Sequence, residues 1–192
     1  MKRLLFLTAL IFAAFFIHNN RASIFESGSK TIERTAASIR MARFYEMQPD
    51  EQIQMPIRGV KIKQISDTWQ APRSGERFHQ GQDIFARRGT LIYSATEGYV
   101  LRIGENALGG NVVSVLGKGG RVYYYAHLDE HAENLAIGDY VTPETILGTV
   151  GTTGNAQGTP PHLHFGVYTS TGAINPLSLL TEKHAINSPT RS

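Results

Sequence analysis

Two histidines stand one residue apart in "GTPPHLHFGV", residues 158–167, and a further histidine stands four before an aspartate in "RFHQGQDIFA", residues 77–86. Imidazole nitrogens and carboxylate oxygens are good zinc ligands, and imidazole also moves protons near neutral pH. Side chains at i and i+2 of a β-strand share a face. His162 and His164 therefore fall on one face, with Leu163 and Phe165 on the other. Glycine and proline before the pair, and Phe165, Val167 and Tyr168 within and after it, support a strand. Between His79 and Asp83, Gly81 permits a bent backbone. A third piece is "YYYAHLDE", residues 123–130, where strand alternation places Tyr123, Tyr125 and His127 on a common face. His131, four after His127, sits in a polar, turn-like stretch and reads as a decoy ligand.

Catalytic zinc usually takes three protein ligands and leaves one position for water. His79, Asp83 and one histidine of the pair supply that set. The other histidine of the pair and His127 remain for proton transfer, with an unperturbed imidazole pKa of about 6.5. Other chemistries lack their parts. The chain has no cysteine, which removes disulfides, thiolate zinc sites and thiol nucleophiles together. There is no G-x-S-x-G, and the S-x-x-K formed by Ser27 and Lys30 has no S-D-N or K-T-G partner. The glycine-rich "GTVGTTGNAQGTPP" lacks the Lys-Ser/Thr of a phosphate loop and no helical pattern follows it; it is expected to shape a groove wall.

The elements that must position these groups are short. From Met55 onward, apolar and β-branched runs alternate with glycines: "TLIYSA", "GYVLRIG", "NVVSVLG", "RVYYYAHL", "DYVTP", "ILGTVG" and "HLHFGVY". Such spacing predicts an all-β, antiparallel two-layer sandwich or barrel-like domain. "GKGG", residues 117–120, is expected to turn a hairpin. A weak echo between "GTLIYSATEGYV" and "GDYVTPETILGTV" is reminiscent of prosthetic-group carrier modules, but "YVTPETIL" has no lysine to modify. Upstream, "TIERTAASIRMARFYEMQ" carries Ile32, Ala36, Ile39 and Phe44 at roughly helical spacing, predicting a short helix in a spacer. At the start, Lys2 and Arg3 precede an apolar run over residues 4–17 broken only by Thr8. It reads as an export signal, cleaved or kept as an anchor touching the membrane, although 14 residues at about 1.5 Å fall short of a bilayer core of about 30 Å. Its basic end stays cytoplasmic, which places the rest in the periplasm or cell envelope. The resulting organisation is export signal or anchor over 1–23, helical spacer over 24–54, zinc domain over 55–182 and polar tail over 183–192. The formal net charge of +3 is spread thinly, with no basic stripe, so no nucleic-acid partner is expected.

"HQGQD", "YYYAHL" and "GTPPHLHFGV", in that order, resemble the lysostaphin-type zinc endopeptidases, also called LytM-domain peptidases. The resemblance runs from about residue 56 to 181 and includes "DIFARRGTLIYSATEGYV", "GTTGNAQG" and "INPLSLL". It implies a β-rich fold and cleavage of peptide stems or cross-links in cell-wall peptidoglycan. It also implies that Zn2+ is held by His79, Asp83 and His164, with His127 and His162 as the catalytic pair; spacing alone leaves the third ligand open. Gln82 stands where an aliphatic residue is usual, and Trp69 and Gln70 replace a commoner Phe-Gly. Two other readings remain: a non-enzymatic peptidoglycan-binding module or amidase activator, which five intact site residues disfavour, and a zinc-storing or structural protein, which an open coordination position disfavours.

Overall fold

The computed structural model describes residues 39–73 and 75–182. The apolar run at residues 4–17, with its expected export role, and the polar tail lie outside the described residues. Residues 39–46 are helical. Among the described residues, the glycine-punctuated, β-branched sequence beyond them forms thirteen strands. They are β1 (Ile53–Gln54), β2 (Pro72–Arg73), β3 (Arg77–Phe78), β4 (Gln82–Phe85), β5 (Leu91–Tyr93), β6 (Gly98–Asn106) and β7 (Gly110–Leu116). After these come β8 (Val122–His131), β9 (Tyr140–Val141), β10 (Ile146–Val150), β11 (His162–Thr169), β12 (Gly172–Ile174) and β13 (Leu180–Thr181). The expected hairpin turn at "GKGG" joins β7 to β8 as a 3-10 turn over Lys118–Gly120.

Nine strands make one antiparallel sheet in the order β12-β11-β8-β7-β6-β9, with β4 on the edge of β11 and β10 linking β8 to β5. The expected all-β, mainly antiparallel architecture is the one observed. Strand β11 is its hinge point: its first half pairs with β4, its last residues with β12, and its other edge with β8. Alternation then sorts its side chains. Leu163, Phe165 and Val167 are fully buried against Tyr123, Tyr125 and Ile84, while Ile92, Leu147 and Val150 from β5 and β10 complete the same core. Tyr125 and Phe165 stack at a tilt with centroids 5.2 Å apart.

The Tyr125 hydroxyl also accepts the Ala95 amide N–H at 2.8 Å in the buried core. Removing it strands that donor away from water, so Tyr125→Phe is expected to cost about 1–3 kcal/mol. Chemical denaturation would register this as a lower midpoint at unchanged slope.

Strand β1 lies in the stretch read from sequence as spacer, yet it pairs in parallel with β13, and Ile53 and Met55 are core residues. The preceding residues are tied to the body. Phe44 packs edge-on against Tyr99 at 5.2 Å. The Asp50 carboxylate accepts from Thr96 Oγ1 at 2.7 Å and Lys118 Nζ at 3.1 Å, and its carbonyl accepts from Arg121. This anchorage is at the β7–β8 turn. The run from Arg121 to His127 along β8 covers roughly 20 Å at ~3.3 Å per residue.

One expectation fails. Tyr123 and Tyr125 face the core, but His127 does not share their face. Two residues of β7, Asn111 and Val113, pair with Leu128 and Tyr125, three apart on β8. The extra residue is a β-bulge, and His127 sits in it with φ 64°. This left-handed backbone turns the imidazole away from the core and onto the opposite face.

Candidate functional site

That opposite face of β8 and β11 floors a cleft of about 1060 Å³. Tyr124, Ala126, His162, His164 and Tyr168 line it from the sheet; Arg73, Arg77 and Phe78 come from the β2–β3 arm, and Asn155, Ala156, Thr159 and Pro160 from the glycine-rich loop. That loop therefore forms a wall, as its composition suggested. All five residues picked out in the sequence line this one cleft. His131 does not; its Nε2 lies 3.2 Å from the Val112 carbonyl.

His79 precedes β4, and its Nδ1 lies 2.8 Å from the Thr68 carbonyl. A carbonyl oxygen only accepts, so Nδ1 carries the proton and neutral His79 presents a bare Nε2. That nitrogen lies 2.8 Å from His164 Nδ1 and 3.1 Å from Asp83 Oδ1. The third edge, His164 Nδ1 to Asp83 Oδ1, is 3.2 Å. Strand pairing produces this triangle, since His164 and Asp83 are direct partners across β11 and β4. The second Asp83 oxygen accepts from Arg73 Nη2 at 2.6 Å, which leaves Oδ1 turned to the histidines. Burial alone would raise the Asp83 pKa, but its interactions with His164, His79 and Arg73 outweigh it and hold the group ionised far below the usual carboxylate range. Burial lowers the His164 pKa, with Asp83 opposing.

Two imidazole nitrogens and an anionic oxygen converging at about 3 Å suit a metal cation. Donors about 2.0–2.2 Å from a tetrahedral ion stand ~3.3 Å from one another. The residues present therefore fit a divalent ion such as zinc, and among the described residues this is the His/Asp group that can hold a metal.

His127 and His162 flank the triangle, their ring centroids 5.1 Å apart. Each is oriented through Nδ1, His127 by the Thr153 carbonyl at 2.9 Å and His162 by the Pro160 carbonyl at 2.8 Å. By the same proton count, the neutral form of each ring presents a bare Nε2. Thr153 is itself held, its Oγ1 donating to the Leu128 carbonyl and accepting the Asn111 N–H. Burial pushes His127 down to about 4, partly opposed by the Thr153 bond, so it is uncharged at neutral pH.

Gly81 does its work differently from the sequence expectation. Its φ is outside the left-handed range; instead, a Cβ there would lie 2.7 Å from both His164 Cε1 and the Phe165 carbonyl oxygen. The residue is small because β11 passes close by. The sequence reading missed Arg73, which binds Asp83, and Thr68, which orients His79. Their only signal was proximity to "HQGQD". Gln70, where the family more often has glycine, adopts φ 60°.

A model described as Peptidase family M23 matches residues 77–176. The L-Ala–D-Glu endopeptidase of Bacillus subtilis is 37% identical over 112 residues, 55% of this chain and 34% of that protein. The peptidoglycan DD-endopeptidase ShyC of Vibrio cholerae is 33% identical over 95 residues, 49% of this chain and 21% of its own. The chain thus spans about a third or less of the length of these relatives. Among solved structures, the catalytic domain of lysostaphin from Staphylococcus simulans superposes with a TM-score of 0.53 at 27% identity, covering 60% of this chain and 92% of that one.

Proposed function

Because the chain belongs to peptidase family M23, we propose that it is a zinc metalloendopeptidase that hydrolyses peptide bonds in the stems or cross-links of cell-wall peptidoglycan. One observation carries the reading: His79 Nε2, His164 Nδ1 and an ionised Asp83 oxygen converge within 3.2 Å of one another, the donor set that a divalent cation takes. His79, Asp83 and His164 are the proposed ligands. When bound there, zinc supplies Lewis acidity, lowering the pKa of a water toward about 7 and polarising the scissile carbonyl. His127 and His162 bring bare Nε2 atoms to the same cleft. One accepts the proton of the attacking water and returns it to the leaving amine; the other orients that water or stabilises the developing oxyanion. The relatives' names indicate bonds within or between stem peptides. Such a substrate lies outside the cytoplasmic membrane, and the basic-then-apolar start of the chain supports export.

The purified protein incubated with defined muropeptides, with products read by mass, is expected to yield new peptide termini. Chelation should abolish them and added zinc restore them. Asp83→Ala is expected to retain less than a tenth of the metal found in the native protein by elemental analysis. Full zinc occupancy in that variant would remove Asp83 from the ligand set, and intact muropeptides from a zinc-loaded native protein would remove the enzymatic reading.

A further inference from the structure

Gln82 departs from the aliphatic residue usual at its position, and the reaction as described does not use it. Its side chain is fully buried. Strand alternation sends it away from the face that Asp83 presents to the cleft. Burying a primary amide is unfavourable unless its hydrogen bonds are met. Here all four are. Oε1 accepts from the Thr68 N–H at 3.0 Å and from Thr68 Oγ1 at 3.1 Å. Nε2 donates to Asp67 Oδ1 at 2.6 Å and to Asn175 Oδ1 at 3.0 Å.

The orientation of this amide is fixed by its neighbours. The Thr68 backbone N–H can only donate, so it must meet Oε1. Asn175 Oδ1 is identified by the Leu177 N–H that it also accepts, at 3.0 Å, so it must meet Nε2. An amide with no spare donor or acceptor holds the Asp67–Thr68 segment in one place. Thr68 then passes the constraint on, because its carbonyl receives His79 Nδ1–H, and its hydroxyl lies 3.4 Å from the Asp83 amide nitrogen. An aliphatic residue could fill the same space but could not grip Thr68.

We propose that Gln82 is a positioning residue of the metal centre: through Thr68 it fixes His79 in the Nδ1–H tautomer and aims its Nε2 at Asp83 and His164. The inference rests on the metal-centre reading above. Partners that orient a ligating histidine are worth about 10–100-fold in metal affinity.

The test compares the native chain with Gln82→Met, similar in length but unable to make the four bonds, and with Asp67→Ala, which removes one acceptor at the exposed end of the relay. Long-range 15N–1H correlation on the metal-free proteins reads the His79 tautomer, and competition with a chelator reads zinc affinity. Native His79 is expected as a single Nδ1–H tautomer. Gln82→Met is expected to show both tautomers and about 10–100-fold weaker zinc binding, with a smaller loss for Asp67→Ala. A folded Gln82→Met with native tautomer and affinity would overturn the proposal. If that variant does not fold, native tautomer and affinity in Asp67→Ala would do the same. A native protein that binds no zinc would count against the metal reading, while the tautomer comparison would still decide the relay.

Discussion

His162→Ala and His127→Ala are expected to keep about one zinc per chain while losing about 10²–10⁴-fold in muropeptide hydrolysis, the usual worth of positioned acid–base assistance. His164→Ala is expected to lose zinc and hydrolysis together. The pair in "HLH" share a face of β11 yet differ in what surrounds them. His164 Nδ1 is within 3.2 Å of two other donors of the triangle. His162 Nε2 is 3.9 Å from the nearest Asp83 oxygen, and its ring lies beside that of His127. Zinc content measured beside cleavage for the three variants separates the roles. Zinc lost from His162→Ala and kept in His164→Ala would exchange them. Native cleavage by both His127→Ala and His162→Ala would leave a peptidoglycan-binding module as the better reading.

Gly81→Ala is expected to fall about 10²-fold in hydrolysis and to bind zinc more weakly, although one methyl group is added at a residue that touches no metal. That methyl would stand 2.7 Å from both His164 Cε1 and the Phe165 carbonyl oxygen. The first neighbour is a proposed ligand ring; the second is backbone of a strand whose side chain is locked in the core. Relief therefore comes from moving β4 away from β11 or turning the His164 ring, and either opens the donor triangle. A displacement of about 1 Å is worth about 10²-fold in a catalytic arrangement. Gly104→Ala on β6, where nothing lies within 4 Å, is the control and should stay within about 0.5 kcal/mol of native stability. Native zinc affinity and rate in Gly81→Ala would show that the two strands separate freely here.

The strand pattern and the five residues that line the cleft were legible in sequence because their motifs are local, while the roles expected of the five came with the family resemblance. Alternation within "HLHFGV" is enough to send Leu163 and Phe165 inward and both histidines outward. His127 was legible as a member but not in its direction, since the bulge that turns it arises from pairing with Asn111 and Val113 on another strand. Gly81 was assigned a bend because a single sequence cannot show that β11 passes beside it. Gln82 and Arg73 were opaque for the same reason. Their meaning lies in partners brought close by the fold, Asn175 to the first and Asp83 to the second.

The anchorage of Phe44 and Asp50 beside the β7–β8 turn sets how this domain can be held. The chain enters the folded body at the turn, and the histidines stand roughly 20 Å along β8 from that point. The segment from Phe44 to Asp50 thus grips the body at one end of the sheet and, among the described residues, leaves the cleft toward the other end unobstructed.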